Sequence, residues 1–476
     1  MKYVTTLTAF ILSLQLSAQG PVEKWDLRKC VDYAMKNNIS VKQADVQARI
    51  TALQLQQAKY YQIPSASFST SIGPQFGRSI DPISNQYTTD PLLSQSYSLQ
   101  GNVQIYNWGR IKNNISAANF NVKAALMDVE RAANDVALNV ATYYLQVLAA
   151  KEQMNVSEVQ IAQRKSQLDI TSKQVAAGAL PELNLVEIEA QLASDSSNLI
   201  SNKTIFDQDI LFLKALLNID ASQPFDVETP AADKIPLESF GELQPETVYQ
   251  LALSNQPLQK ENAFKIKAAE KNVLVSKASL YPTLYGSYSL GTTYSNKSLE
   301  SIGSTLVSPP IGKVSISGTD YTVYSNPYSV GTYGYAKYFS QLNDNFRQSL
   351  GIGLTVPIFN NGQYRIGYEQ SKLNLKNTVL QKDQADQTLK QNIYTAYTNA
   401  VNALEKLNAS KKNVASAQKV YDFSFKRYEV GLLGTLDLIT NQNNLQTAQL
   451  QLVASEFDYV FKMKLLEFYK GQGLKL

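Results

Sequence analysis

The chain has no histidine and one cysteine among its 476 residues. Without imidazole it lacks the commonest acid–base group and the usual zinc ligand. Cys30 alone cannot close an internal disulfide. Long apolar runs are missing as well. Beyond the N-terminus no stretch reaches the roughly 18 uncharged apolar residues of a membrane-crossing helix, so any crossing must be made by β-strands. Charge of one sign is also scarce: 44 Lys and Arg against 40 Asp and Glu leave a net +4. No basic block stands out, which argues against a nucleic-acid partner. There is no nucleotide-binding glycine loop and no clustered carboxylate motif. The expectation is therefore no enzyme, no cofactor and no metal site.

What is present is a duplication. YNWG, ending at Gly109, is echoed by FNNG, ending at Gly362. Gly178 in VAAGALPELNLV is echoed by Gly431 in YEVGLLGTLDLI. Both pairs are 253 apart (362 − 109 and 431 − 178). Spacing of that kind is what continuous helices preserve, since a gained residue would rotate everything beyond it. Pro64 and Pro282 are only 218 apart, as are Ala34 and Ala252. The second copy therefore gained about 35 residues between Pro282 and Gly362 (253 − 218).

Residues 1–18 read as an export signal: Lys2, a largely apolar stretch from Leu7 to Leu16, then Ser17-Ala18. The first repeat is expected over 19–240 and the second over 241–476. In the first, apolar residues at helical spacing from Trp25 to Tyr60 give a helix with a wide packed face, which Pro64 must end. Strands follow at about 65–73 and 98–107, and in the second repeat at about 283–291 and 349–359. Each alternates small polar residues with apolar ones over a length that suits a tilted membrane strand. Alternation alone fits an edge strand of a soluble sandwich equally well. Residues 74–97 and 292–347 read as extracellular loops. The longer one is rich in Tyr, Ser and Gly, and both a fold-back over a pore and a binding surface remain open for it.

Gly109 and Gly362, with Pro64 and Pro282, mark the strand–helix junctions. Proline-free stretches at about 111–177 and 364–430 then predict helices on the order of 100 Å long at 1.5 Å per residue. Gly178 and Gly431 are turns at their far tips. Return helices are expected at about 182–218 and 435–470, with an irregular, proline-containing linker from about 219. Four strands cannot close a barrel, and open edges are not tolerated in lipid. Twelve strands from three copies would enclose a passage.

The two repeats, the tip glycines and RYEVG followed by LDLI resemble the TolC-type outer-membrane factors over essentially all of 22–470. The resemblance implies a homotrimeric, mixed α+β membrane fold: a 12-stranded β-barrel, four strands per protomer, continuous with a long periplasmic α-helical barrel. It implies an exit duct in the bacterial outer membrane for efflux or type I secretion. Its partners would be a periplasmic adaptor protein and an inner-membrane RND, ABC or MFS transporter, with outer-membrane lipid around the barrel. It also implies a gate at the tips. Tyr428 matches the family's tyrosine three residues before the glycine, and Asp437 its aperture aspartate six after. The second aspartate position holds Thr440, and the gating arginine position holds Leu433. The first-repeat equivalents are Asn184 and Glu187. Gly178, Gly431, Ala179, Leu180 and Leu432 would meet the adaptor. Read without the resemblance, Asp437 is a helix-start carboxylate that complements the helix dipole. A second functional class also stands: a structural or adhesion protein built on long coiled helices, soluble without detergent.

Overall fold

The computed structural model describes residues 23–229 and 235–471; the expected export signal lies outside them. In chain order the elements are β1 (Lys24–Trp25), α1 (Leu27–Asn37), α2 (Ile39–Tyr60), β2 (Ser67–Gln75), β3 (Ser79–Ile80), β4 (Tyr87–Thr88), β5 (Leu92–Tyr106), α3 (Arg110–Ala176) and α4 (Glu182–Leu217). After the linker come β6 (Asp226–Val227), α5 (Pro245–Asn255), α6 (Pro257–Ala278), β7 (Thr283–Ser295), β8 (Leu299–Val307), β9 (Pro310–Ile316) and β10 (Thr319–Tyr324). The chain ends with β11 (Tyr328–Tyr335), α7 (Tyr338–Asp344), β12 (Arg347–Thr355), α8 (Gln363–Glu429) and α9 (Thr435–Lys470). They form two compact units, a helical one (23–54, 117–229, 235–270 and 373–471) and a sheet unit (55–116 and 271–372).

The helices α3 and α8 are each 67 residues long and lie in the helical unit from 117 and from 373 onward, and α4 and α9 are each 36. Their cores are built from small and aliphatic side chains. Val140, Tyr144 and Leu148 of α3 pack with Leu213 and Leu217 of α4 and with Cys30 and Ala34 of α1. A fully buried leucine contributes on the order of 1.5–3 kcal/mol. The Tyr144 hydroxyl donates to the Glu228 carbonyl at 2.7 Å. Burial pushes that phenol's pKa up, and it pushes the Cys30 thiol up to about 12. A second cluster joins Leu243, Val248 and Ala252 to Ile393, Ala396 and Ala400 of α8 and to Met463 and Leu466 of α9.

The linker holds one short pairing. Asp226 and Val227 pair in parallel with Lys24 and Trp25, and Val227 and Ile235 are buried. Apart from that two-residue pairing the described linker is irregular, as its prolines predict, and it sets apolar side chains into the core.

Farther along α3 the packed seam keeps three- and four-residue steps but turns polar. Ser157, Gln160, Arg164, Gln167 and Thr171 are all buried. The steps are those of a coiled-coil seam, with hydrogen bonds replacing leucine contacts.

The sheet unit holds an antiparallel four-stranded sheet in the order β12-β7-β5-β2. Its register sorts the side chains by face. Ser67, Ser69 and Ser71 face Gln100, Ser98 and Ser96, and Gln100 and Asn102 face Ser289 and Ser287. Hydroxyls pair directly across strands: Ser69 with Ser98 at 2.7 Å, Ser71 with Ser96 at 2.8 Å and Ser289 with Ser349 at 3.1 Å. The other face carries Phe68, Leu99, Leu290, Val103, Leu284, Leu350, Ile352 and Leu354. Leu350 and Ile352 are 90% and 77% exposed there. A one-residue slip would exchange the two faces, so the pattern pins the register. β2 and β12 are the two edges, each without a partner strand among the described residues.

The structure differs from two sequence expectations in this unit. The strand expected to run to 359 stops at Thr355, because Pro357 has no N–H to give the ladder. The segment 292–347, read as a loop, is largely paired: β7 runs on to Ser295, β8 pairs with β11, β9 pairs with β10, and α7 follows. Its Ser, Gly and Tyr content hid the strand pattern. Likewise β2 reaches Gln75, β5 starts at Leu92 and β3 pairs with β4, which shortens the 74–97 loop.

Candidate functional site

The two helix tips are built alike. At the first, the Ala179 N–H donates to the Gln174 carbonyl at 2.9 Å and the Gly178 N–H to the Val175 carbonyl at 2.9 Å. At the second, Leu432 donates to Arg427 at 2.8 Å and Gly431 to Tyr428 at 2.9 Å. These bonds satisfy the last carbonyls of α3 and α8 and require a left-handed residue. Gly178 and Gly431 supply it, with φ of +72° and +73°. No atom lies within 4 Å of a side chain added at either, so only the backbone conformation demands glycine.

Between the tips lies a groove of about 770 Å³. Its walls include Gln174, Ala179, Leu180, Asn184, Tyr428, Leu432, Leu433 and Thr435. Expected residues from both repeats thus come together. The Tyr428 hydroxyl is buried and shares a 2.9 Å hydrogen bond with the Thr171 hydroxyl, tying α8 to α3. The buried Thr435 hydroxyl has no partner. Asp437, Thr440 and Glu187 do not line this groove. Asp437 is exposed in the first turn of α9, whose N-cap Gly434 offers no side chain to the free amides. Thr440 is exposed and its hydroxyl donates to the Leu436 carbonyl at 2.8 Å. Glu187 is half-buried on α4.

The strand–helix junctions are matched as well. Trp108-Gly109 and Asn361-Gly362 both have φ of +53° then +76°. The Trp108 indole donates to the Pro282 carbonyl at 2.8 Å and stands edge-on to Tyr106 and tilted against Tyr281. Pro64, with Tyr60, Asn102, Gln104 and Arg110, lines a cavity of about 780 Å³ beside the base of the sheet.

One feature escaped the sequence. Arg164 and Asp195 form an ion pair at 2.9 Å, with side chains 0% and 1% exposed. The guanidinium also donates to Gln167 at 3.1 Å and to Asn443 of α9 at 3.1 Å, and Gln191 donates to Asp195 at 2.9 Å. Burial raises the pKa of nearby Tyr421, against the pull of Arg164 and Gln167. The signal was available as polar residues at seam spacing, but such residues look like a solvated helix face.

Among the described residues no group of His, Cys, Asp and Glu can hold a metal, and no helix is long and apolar enough to cross a membrane. The chain matches the family description "Outer membrane efflux protein" over residues 30–218 and 248–460. It is 22% identical over 373 residues to the outer membrane efflux protein BepC of Brucella suis, covering 78% of this chain and 71% of that one. It is 23% identical over 369 residues to the pyoverdine export outer membrane protein OpmQ of Pseudomonas aeruginosa, covering 76% and 66%. In fold it is similar to CusC, from a study of conformational changes in folding and transmembrane channel formation. That likeness has a TM-score of 0.74 at 16% identity, over 95% of this chain and 93% of the other. The duplicated long helices, the two-faced sheet and the family match agree: this chain belongs to the outer membrane efflux protein family and is a non-enzymatic, TolC-type channel protein of the outer membrane.

Proposed function

We propose that the chain is the exit duct of a tripartite efflux or type I secretion system. Three copies join their sheets, each β2 edge to a neighbour's β12 edge, into a twelve-stranded barrel. Substrates pass through it by diffusion, delivered by an inner-membrane RND, ABC or MFS transporter through a periplasmic adaptor. The observation that carries this reading is the open sheet: one face hydroxyl-lined, the other aliphatic and exposed, with both edges unpaired among the described residues. In lipid, unsatisfied edge groups cost several kcal/mol each, and an aliphatic outside with a polar inside is the arrangement of a water-filled barrel.

The gate belongs at the helix tips. Three copies of Asp437 around a narrow axis repel one another and attract cations. Thr440 and Leu433 stand where a second acidic ring and a locking arginine would otherwise be, so one ring sets the selectivity. Asn184 and Glu187 are the first-repeat counterparts at the aperture. Ala179, Leu180 and Leu432, with the unpartnered Thr435 hydroxyl, make the groove a docking place for an adaptor helix. The test is planar-bilayer recording on the detergent-purified protein. A trimer that conducts with cation preference supports the reading, and absence of any pore overturns it. A transporter gene beside this one separates efflux from secretion: a proton antiporter indicates efflux, and an ABC exporter with a secreted substrate indicates secretion.

A further inference from the structure

The extra residues of the second repeat form an arm with a fixed root and an amphipathic end. The root is hydrogen-bonded throughout. The buried Ser295 hydroxyl donates to Asp81 at 2.7 Å, its N–H donates to Gln341 at 2.9 Å, and Gln341 donates on to the Ala336 carbonyl at 2.9 Å. The arm then runs out as one ribbon, β8 against β11, and continues as β9 against β10. Pro309 and Pro327 interrupt the pairing between the two parts, where the Ser325 N–H donates to the Pro309 carbonyl at 2.9 Å. The tip is a two-residue turn, Ser317-Gly318, with φ of +54° and +82°, which suits the twist of a hairpin.

Register sorts the distal ribbon into two faces. Tyr321 pairs with Val314, Thr319 with Ile316 and Val323 with Gly312. The opposite face carries Lys313 with Thr322 and Ser315 with Asp320 toward the tip, and Tyr324 opposite Pro310 past a register shift that skips Ile311 at the root of this ribbon. Val314, Ile316, Tyr321 and Val323 remain 46%, 58%, 55% and 40% exposed.

We propose that the occupant of this apolar face is the same ribbon of neighbouring copies, so that three arms meet and narrow the outer mouth. The inference rests on the trimeric barrel proposed above. The arm is inserted between β7 and β12, and β12 is the open edge at the seam between copies, so the contact continues an interface the barrel already needs. The face bears no charge, so identical copies meet there without like-charge repulsion. The one cation and one anion, Lys313 and Asp320, stay on the wet side. Reach is sufficient. Twelve strands about 4.8 Å apart and tilted about 40° give a radius of roughly 12 Å. The nine residues of β8 alone span about 30 Å at 3.3 Å each. A rotation that closes at three gives a ring of head-to-tail contacts rather than a filament.

The test places single cysteines on the full-length protein in its membrane: Val314→Cys and Val323→Cys on the apolar face, Lys313→Cys and Thr322→Cys on the other. Cys30 is buried, so the parent chain is the blank. Mild oxidation should link two of the three copies for the apolar-face variants and not for the polar-face pair. Replacing residues 310–324 by a short Gly-Ser turn should raise single-channel conductance at least about twofold, by removing a constriction. Linking from both faces alike, linking from neither in an intact trimer, or unchanged conductance after the replacement each overturns the contact while leaving the exit duct standing. A protein that is monomeric and forms no pore overturns both.

Discussion

The two repeats share a backbone and differ in what holds it. Helix lengths match, and so do the tip hydrogen bonds and the left-handed residues at both junctions. The seam chemistry does not. At the 253-residue offset, Arg164 corresponds to Ala417 and Asp195 to Ala448. The first hairpin is joined by a buried ion pair that also reaches α9 through Asn443. The second is joined by aliphatic packing, Ile393 and Ala396 of α8 with Met463 and Leu466 of α9, and by single hydrogen bonds, Ser410 with Ser455 at 3.1 Å and Asn441 with Ser424 at 2.8 Å. Tip chemistry diverges in the same way: Val175, Asn184 and Glu187 stand where the second copy has Tyr428, Asp437 and Thr440. Spacing sets the length of the hairpins, whereas buried polar groups set how firmly each is held. The comparison predicts that the first hairpin is the fixed one and the second the movable one.

The largest effect comes from breaking the ion pair on one side. Arg164→Ala leaves Asp195 buried without its cation and should cost about 3–5 kcal/mol. Arg164→Ala with Asp195→Ala reproduces the second repeat's Ala417 and Ala448 and should recover most of that. Chemical denaturation of the detergent-solubilised protein measures both. A single-variant loss below about 1 kcal/mol would remove the basis of the contrast.

The backbone half of the comparison predicts equality. Gly178→Ala and Gly431→Ala should each cost about 1–2 kcal/mol, because both residues hold positive φ and neither is sterically crowded. Unequal losses would show that the tips are not built alike.

A smaller effect is expected at the hydrogen bond that ties the two hairpins together near their tips. Tyr428→Phe should cost about 1 kcal/mol, and Thr171→Val a similar amount. The double variant should cost little more than either, since both remove the same 2.9 Å contact. Additive losses would mean the two hydroxyls act separately.

The smallest change in stability lies at Cys30, whose counterpart at the 218-residue offset is Val248, buried like it. Cys30→Val should cost under about 1 kcal/mol. The thiol itself sharpens the test. Burial raises its pKa from 9.0 to about 12, so the folded state favours the protonated form. That contribution is complete below pH 9 and is lost as pH rises toward 12. Alkylation at pH 8 should be about a thousandfold slower than in the unfolded chain. Equal rates in both states would contradict its burial.

The long helices were legible because they lack proline and because two glycine pairs keep one offset. The sheet strands were legible because small residues alternate with larger ones, Ser with Ala66, Phe68, Thr70 and Ile72 from Ser65 to Gly73, and Ser, Gly and Thr with Leu350, Ile352, Leu354 and Val356 from Ser349 onward. Two things were not. The arm's strands are built of Tyr, Ser, Thr and Gly, which give weak alternation and look like loop. The ion pair depends on residues 31 positions apart in two helices, and single-chain periodicity cannot distinguish a buried polar seam from a wet one. At the tips, the repeat offset placed the glycines, and the family resemblance placed Tyr428. Which residues share the groove needed the fold, since Gln174 and Thr435 meet there from opposite repeats.

The central claim is a cation-preferring trimeric duct whose selectivity is set at the second repeat's tip. Its most direct test is the reversal potential of single channels under a salt gradient, for the parent, Asp437→Asn and Asn184→Asp. The account predicts that Asp437→Asn lowers cation preference and that Asn184→Asp, which gives the first tip the second's carboxylate, raises it. A reversal potential unmoved by Asp437→Asn would contradict the account.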